Sequence, residues 1–306
     1  MGRQAAANAF VPLPVLHGVG PSYLWLPQGS GGAMLAFLVG QFPAVGAAAW
    51  RDRMARGQVV DGAGMLLAPD SVVAAGTRIW YYRELDVETP IPFEEQVLFQ
   101  DQHLVVVDKP HFLPMAPAGR FLHETLLVRL KRKLGIADLV PIHRLDRETA
   151  GVVLFSCNIA SRGAYQSLFQ KRRVSKVYEA LAAPIDDLAW PHVRRSLMVE
   201  GTPFFRMREA AGEANAQTII ELVERRGALA LYRLQPHTGR KHQLRVHMAA
   251  LGAPIVNDAF YPDAQPCRGD DFTRPLQLLA RSIAFADPLT GELREFASER
   301  RLDYSA

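Results

Sequence analysis

Cysteine is almost absent: Cys157 and Cys267 are the only two in 306 residues. Two cysteines cannot build a disulfide framework, and neither sits in a paired metal-ligand spacing, so a disulfide-stapled secreted module and a zinc ribbon are excluded. A reducing cytoplasm is the expected home. No run of about 18 apolar residues exists that could span a bilayer as a helix. The first 30 residues carry one arginine and are interrupted by Pro12, Pro14, Pro21 and Pro27, so no export signal is expected. Large charge excess is missing too, since the formal net charge is only +4.

What is present is the composition of a globular protein, 49% hydrophobic and 22% charged. At roughly 100 to 200 residues per domain the length allows two, one small and one large. The mild positive charge favours an anionic partner. Its distribution says more than its total, because cations cluster at Lys131-Arg132-Lys133, Lys171-Arg172-Arg173 and Arg240-Lys241. Each cluster is equally readable as a solvated helix end.

Residues 1–32 show no sustained period and are expected to form an irregular arm. Helical spacing of Leu35, Leu38, Val39 and Phe42, stopped by Pro43, predicts a helix from Ala33 to Phe42. A second helix is predicted over Ala47 to Arg56, with Trp50 and Met54 inward and Gly57 just past its end. Short strands follow between Val59 and Tyr82. This order resembles the small RNA-binding domain of ribosomal small-subunit protein four, with Arg51, Arg53 and Arg56 as its phosphate contacts; a structural cap is the competing reading. The acidic, Pro-containing stretch 84–95 reads as a linker. The expected division is therefore 1–83, a linker, and 96–306.

Beyond it, strands are predicted at Val97 to Phe99, His103 to Val107, Gly151 to Phe155, Lys176 to Ala182, Thr218 to Glu224 and Ala228 to Gln235. Glu124 to Leu134 is an amphipathic helix, with Leu126, Leu127, Leu130 and Leu134 on one face and Arg129, Lys131, Arg132 and Lys133 on the other. Strands and helices do not alternate as crossover units, so the fold class is α+β.

Three segments carry chemistry. His143-Arg144-Leu145-Asp146-Arg147 sets a carboxylate among bases between two apolar strands, where neighbouring positive charge would keep it ionised and able to act as nucleophile or base. Alone, that string fits a surface ion-pair cluster as well. Lys176-Val177-Tyr178 offers an aromatic face for stacking a base, or simply a packed strand tyrosine. In His237-Thr238-Gly239-Arg240-Lys241-His242-Gln243-Leu244-Arg245, Thr238 is expected to cap a helix reaching Leu251, whose basic start suits a phosphate. His237, His242 and His247 recur every five residues, which scatters them around a helix, so a metal site is rejected.

In this order, roughly 30 and 65 residues apart, the three segments resemble the RluA-type family of pseudouridine synthases. The resemblance covers about Pro92 to Phe296 and continues through Leu251-Gly252-Ala253-Pro254-Ile255 and Asp258-Ala259-Phe260-Tyr261. It implies a catalytic domain with a mixed, largely antiparallel sheet flanked by helices, and conversion of uridine in RNA to pseudouridine without a cofactor. It implies that Asp146 is the essential residue, that Tyr178 packs on the target base, that Arg245 pairs with Asp146, and that Arg144 fills the gap left by an extruded nucleotide. Expected RNA contacts are Arg144, Arg147, Lys176, Arg240, Lys241 and His242. The sequence departs from the family's usual Leu-His-Ala and His-Pro elements at Leu278-Leu279-Ala280 and Asp287-Pro288.

Pseudouridine formation cleaves the glycosidic bond, turns the uracil and rejoins it through carbon five. Ionised Asp146 would attack the anomeric carbon or remove a neighbouring proton, and both routes stay open. A non-catalytic RNA-binding or RNA-folding protein on the same scaffold is the alternative. A glycoside or nucleoside hydrolase normally needs a second carboxylate, for which only Glu148 is near. Ribosomal or transfer RNA is the expected partner, with a monomeric enzyme.

Overall fold

The Pro- and Gly-rich start of the chain does not stay irregular throughout: the computed structural model, which describes residues 11–28, 32–265 and 271–305, places a strand, β1 (Ser22–Trp25), inside it. Part of the expected arm, residues 1–10 and 29–31, lies outside the described residues, as does Cys267. By its contacts the chain divides into Met1–Glu88 and Thr89–Ala306.

In the first unit the helices α1 (Met34–Gln41) and α2 (Ala47–Ala55) precede the strands β2 (Val59–Asp61) and β3 (Arg78–Tyr81). The sheet order is β1-β3-β2, antiparallel throughout. Met34, Leu38, Trp50, Val59 and Ile79 form its core. Helix α2 does not offer three arginines to phosphate. Arg53 is buried, its guanidinium lying over Trp50 and bonded to Glu84, and Arg56 pairs with both Asp52 and Glu84. An acid 28 residues from Arg56 was invisible to a reading of the helix alone.

The second unit is built on an 11-stranded sheet. Its strands are β4 (Gln96–Gln100), β5 (Leu104–Lys109), β6 (Val140–Pro141), β7 (Ala150–Ser156), β8 (Ser175–Ala182), β9 (His192–Glu200), β10 (Met207–Ala210), β11 (Ala216–Arg226), β12 (Leu229–Pro236), β13 (Leu278–Ala286) and β14 (Leu293–Ala297). The path runs β10-β9-β11-β12-β8-β13-β7-β5-β4, with β14 on β13 and β6 on β7. Every pairing is antiparallel except β13 with β7, so the sheet is mixed and largely antiparallel. The α+β class holds.

Among the described residues three helices cover this sheet: α3 (Leu126–Leu134), α4 (Ile159–Gln170) and α5 (Gln243–Ala250). Strand β5 shows why its residues are apolar without alternation. Val105 and Val107 join Leu126 and Leu130 of α3 in one core, while Leu104 and Val106 join Tyr165 and Leu168 of α4 in another. A strand buried on both faces carries no period-2 signal. Thr125 caps α3 by accepting from the Val128 amide, and Gly135 ends it in the left-handed region. Arg129 does not share the expected solvated face. It is partly buried, donates to the carbonyls of Ile91 and Phe93, and pairs with Glu124. Ile91 and Phe93 themselves pack into the α3 core, so the second half of the acidic stretch belongs to this unit instead of hanging free.

Gly151 fixes the one parallel contact. At φ +112 it lies against Ala280, and a Cβ there would meet the Ala280 carbonyl oxygen at 2.2 Å. Only glycine lets β7 and β13 approach this closely. Asp146 lies in the connection that enters β7, a few residues upstream of this pinch.

Candidate active site

A single cavity of about 560 Å³ gathers all three chemistry-bearing segments, a size usual for a small-molecule or nucleotide pocket. Its lining includes Arg144 and Asp146 from the β6–β7 connection, Lys176 and Tyr178 from β8, and Arg240, Lys241, His242 and Arg245 from the β12–α5 region. Residues 100 positions apart in sequence meet because β8 lies between β12 and β13, and β13 borders β7.

Arg245 is the electrostatic anchor. It is 1% exposed, and its Nε and Nη2 donate to the two carboxylate oxygens of Asp258 at 2.7 and 2.6 Å. Burial opposes the guanidinium's charge, but the hydrogen bonds and charge of Asp258 outweigh it and raise the pKa further. The remaining nitrogen, Nη1, lies 3.5 Å from Oδ2 of Asp146 and has no hydrogen-bond partner among the described residues. Asp258 is held in turn by the amides of Phe260 and Tyr261. This positioning acid was missed in the sequence, where Asp258 is one letter in a long match. A lone acid in an apolar stretch 13 residues beyond a buried arginine was the available signal.

Tyr178 sits in the middle of the sheet, opposite Leu234 of β12 and Ala280 of β13. Burial, and then the charge of Asp146, push its phenol pKa up, so it is protonated at neutral pH. Its ring is available for packing and its hydroxyl as a donor.

Helix α5 begins later than expected. Thr238 does not cap it; His242 is the residue at its start, in the left-handed region at φ 56 and without a side-chain cap. Thr238 instead accepts from the Gln217 amide and donates to Oε1 of Gln243, which also accepts from the Arg240 amide. Nε2 of Gln243 donates to the Gln217 carbonyl and to Thr218. Residues 238–242 are thus pinned as a loop across β11, which holds Arg240 and Lys241 exposed at the cavity mouth. His247 and His242 find separate partners, His247 bonding Thr218 and Ser196.

Of the expected RNA contacts, Arg144 is exposed at the rim, and Lys176 is half-buried with Nζ 3.5 Å from the Thr238 carbonyl. Arg147 is not part of the cavity. It pairs with Glu148 and lies over the Phe121 ring. That same pair engages Glu148, the acid nearest Asp146 in sequence that a hydrolase could have used.

Two further groups stabilise the Asp146 loop. Lys109, fully buried, donates to the carbonyls of Pro110, Leu113 and Arg147 at 2.9, 2.9 and 3.0 Å. Burial pulls its pKa down to about 7 against the charges of Glu148 and Asp146. His143 accepts from the Leu154 amide and stacks on Phe169 at 4.7 Å. The departure at Asp287 is structural: its carboxylate is buried between Tyr165 and Arg294.

Comparison with known proteins identifies the family. The family model for RNA pseudouridylate synthases matches residues 103–250. A protein named as an uncharacterised RNA pseudouridine synthase of Synechocystis is 30% identical over 216 residues, covering 70% of this chain and 74% of that one. The dual-specificity RNA pseudouridine synthase RluA of Vibrio vulnificus is 34% identical over 216 residues, 65% of this chain and 80% of that one. Human RNA pseudouridylate synthase domain containing 1 shares the fold, with a TM-score of 0.57 at 22% identity over 70% of this chain and 86% of that one.

The sequence relatives define an enzyme that modifies RNA. The chain belongs to the RluA-type family of RNA pseudouridine synthases, isomerases whose substrate is RNA. No helix among the described residues is long and apolar enough to cross a membrane.

Proposed function

We propose that this enzyme converts specific uridines of structured ribosomal or transfer RNA to pseudouridine through Asp146. The observation that carries the proposal is the convergence of Asp146, Tyr178 and Arg245 on one cavity, with Asp146 reaching into it and the unshared nitrogen of Arg245 turned toward its carboxylate.

The target uridine has to leave its stack to reach that carboxylate, at a cost of a few kcal/mol. Arg144, exposed at the rim, enters the vacated position and offsets part of it. Lys176, Arg240 and Lys241 meet the phosphates on either side of the extruded nucleotide. Asp146 then acts at the ribose, by attack on the anomeric carbon or by removing an adjacent proton. Either route breaks the bond to uracil nitrogen one. Tyr178 packs on the freed base while it turns. Carbon five then bonds to the anomeric carbon as Asp146 leaves it, or as the ribose proton is returned; carbon five gives up its proton to solvent and nitrogen one takes one up. Arg245, with Nη1 3.5 Å from Oδ2, orients the carboxylate for its step at the ribose. The enzyme acts as a cytoplasmic monomer.

The test is release of tritium from carbon five of uracil in transfer RNA and large-subunit ribosomal RNA transcripts, with Asp146→Asn as control. Release from one RNA class by wild type alone supports both reaction and substrate class. Full release by Asp146→Asn rejects the assigned carboxylate.

A further inference from the structure

Oδ2 of Asp146 faces two nitrogens. One is Nη1 of Arg245 at 3.5 Å, and the other is Nε2 of His242 at 3.8 Å. The second contact is just beyond hydrogen-bond reach, a gap of the kind that closes when substrate binds. Which way it acts depends on whether Nε2 carries a proton, and the surroundings of the ring decide that.

Nδ1 of His242 lies 2.9 Å from the Tyr261 hydroxyl. That hydroxyl already accepts from the Met207 amide at 2.8 Å. A phenol has one proton to give, and among the described residues Nδ1 of His242 is the acceptor within reach of it. Were Nδ1 protonated instead, the hydroxyl would face two donors and its own proton would have no acceptor. The opposite edge of the ring gives the same answer independently, since an unprotonated Nε2 would turn a lone pair toward the carboxylate of Asp146. Both edges select the form with the proton on Nε2.

We infer that His242 is a positioning residue: with its proton set on Nε2 by Tyr261, it joins Nη1 of Arg245 in holding Oδ2 of Asp146 and leaves Oδ1 to face the ribose. The inference rests on the reading of Asp146 as the reacting group. Two donors on one oxygen fix the rotation of the carboxylate, which a single contact from Arg245 would leave free. The ring is neutral while it does so. Burial lowers its pKa to about 4, although Asp146 and Asp258 pull the other way and Arg245 and Lys241 reinforce the burial. A neutral imidazole donates a hydrogen bond without handing its proton to the carboxylate.

The backbone supports a placed ring. His242 occupies the left-handed region at φ 56, an uncommon conformation for a residue other than glycine, and its ring lies against Phe260 and edge-on to Tyr261. The same geometry withdraws His242 from the set of direct RNA contacts, since it is buried.

The experiment pairs a magnetic-resonance readout with kinetics on the full chain. Long-range proton–nitrogen spectra of imidazole-labelled protein are expected to show the Nε2–H form of His242 between pH 6 and pH 8 (roughly one unit either side of neutrality). Tyr261→Phe should erode that preference, and Asp146→Asn should move the Nε2 resonance. In single-turnover tritium release, His242→Asn tolerates the left-handed backbone but loses the Nε2 donor. It should slow turnover about tenfold, the worth of one hydrogen bond to a charged group, with KM unchanged. His242→Gln, whose amide nitrogen reaches the Nε2 position, should recover most of the rate. An Nδ1–H form, a wild-type rate in His242→Asn, or a change confined to KM would overturn the inference. Full release by Asp146→Asn would instead remove the reading beneath it, and the resonance result would be untouched.

Discussion

Asp258 takes Arg245 in a two-pronged, fully buried ion pair that leaves a single guanidinium nitrogen for Asp146. Removing one partner of such a pair strands the other charge in the interior, at a cost of about 3 to 5 kcal/mol. Asp258→Asn is therefore expected to lower stability by about 3 kcal/mol in urea unfolding and to depress turnover even where the protein remains folded. Wild-type turnover in a folded Asp258→Asn would show that Arg245 needs no such support.

Gly151→Ala probes the pinch between β7 and β13. A methyl group at φ +112 adds backbone strain, and its contact is the carbonyl of Ala280, which is strand backbone and cannot swing aside. The expected loss is at least about 2 kcal/mol. It should come with reduced activity, because β7 carries the Asp146 loop and β13 flanks Tyr178. An unchanged urea midpoint would mean the two strands part without cost.

How far the sequence disclosed this arrangement depended on the range of each interaction. Helix α3 was legible because Thr125, the leucine spacing and Gly135 are local signals. Helix α4 went unread: it buries only Ser161, Tyr165 and Leu168 and carries Gly163 inside, so its periodicity is weak. Strand β13 was missed because its first three residues are buried together, without alternation. In the site, motif order pointed to Asp146, Tyr178 and Arg245. It could not show that Arg147, beside Asp146 in sequence, turns away to Glu148, or that Arg245 spends two of its nitrogens on Asp258. Both facts are set by side-chain direction after folding. The capping role expected of Thr238 failed for a related reason, since its hydroxyl accepts from the Gln217 amide of a strand and donates to the Gln243 side chain of a helix.

Acid sensitivity follows from two buried and two half-buried histidines. Burial lowers His143 from 6.5 to about 3, and lowers His111, His242 and His247 from 6.5 to about 4. Their folded values lie below the unfolded one, so the unfolded chain binds the protons first as pH falls. The stability they support is fully present above pH 6.5 and is lost progressively toward pH 4. His143→Gln keeps an acceptor for the Leu154 amide without a titrating group. Its stability should fall with acid less steeply than wild type by one proton, about 1.4 kcal/mol per pH unit. Parallel curves for the two proteins would refute a neutral His143.

Arg144 and Arg147 are three residues apart and should behave differently. Arg144 is exposed at the cavity rim, whereas Arg147 is committed to Glu148 and Phe121. If Arg144 occupies the position an extruded uridine leaves, Arg144→Ala should weaken productive binding about tenfold on structured RNA, a loss near 1.4 kcal/mol. On an unstructured oligonucleotide there is no stack to fill, and the loss should shrink to that of one phosphate contact. Arg147→Ala should leave both substrates within about twofold of wild type, since no RNA contact is removed. Single-turnover rates against RNA concentration, measured on both substrates, separate the cases. Equal losses on both for Arg144→Ala would reduce it to a surface cation, and a large loss for Arg147→Ala would mean that RNA draws it away from Glu148.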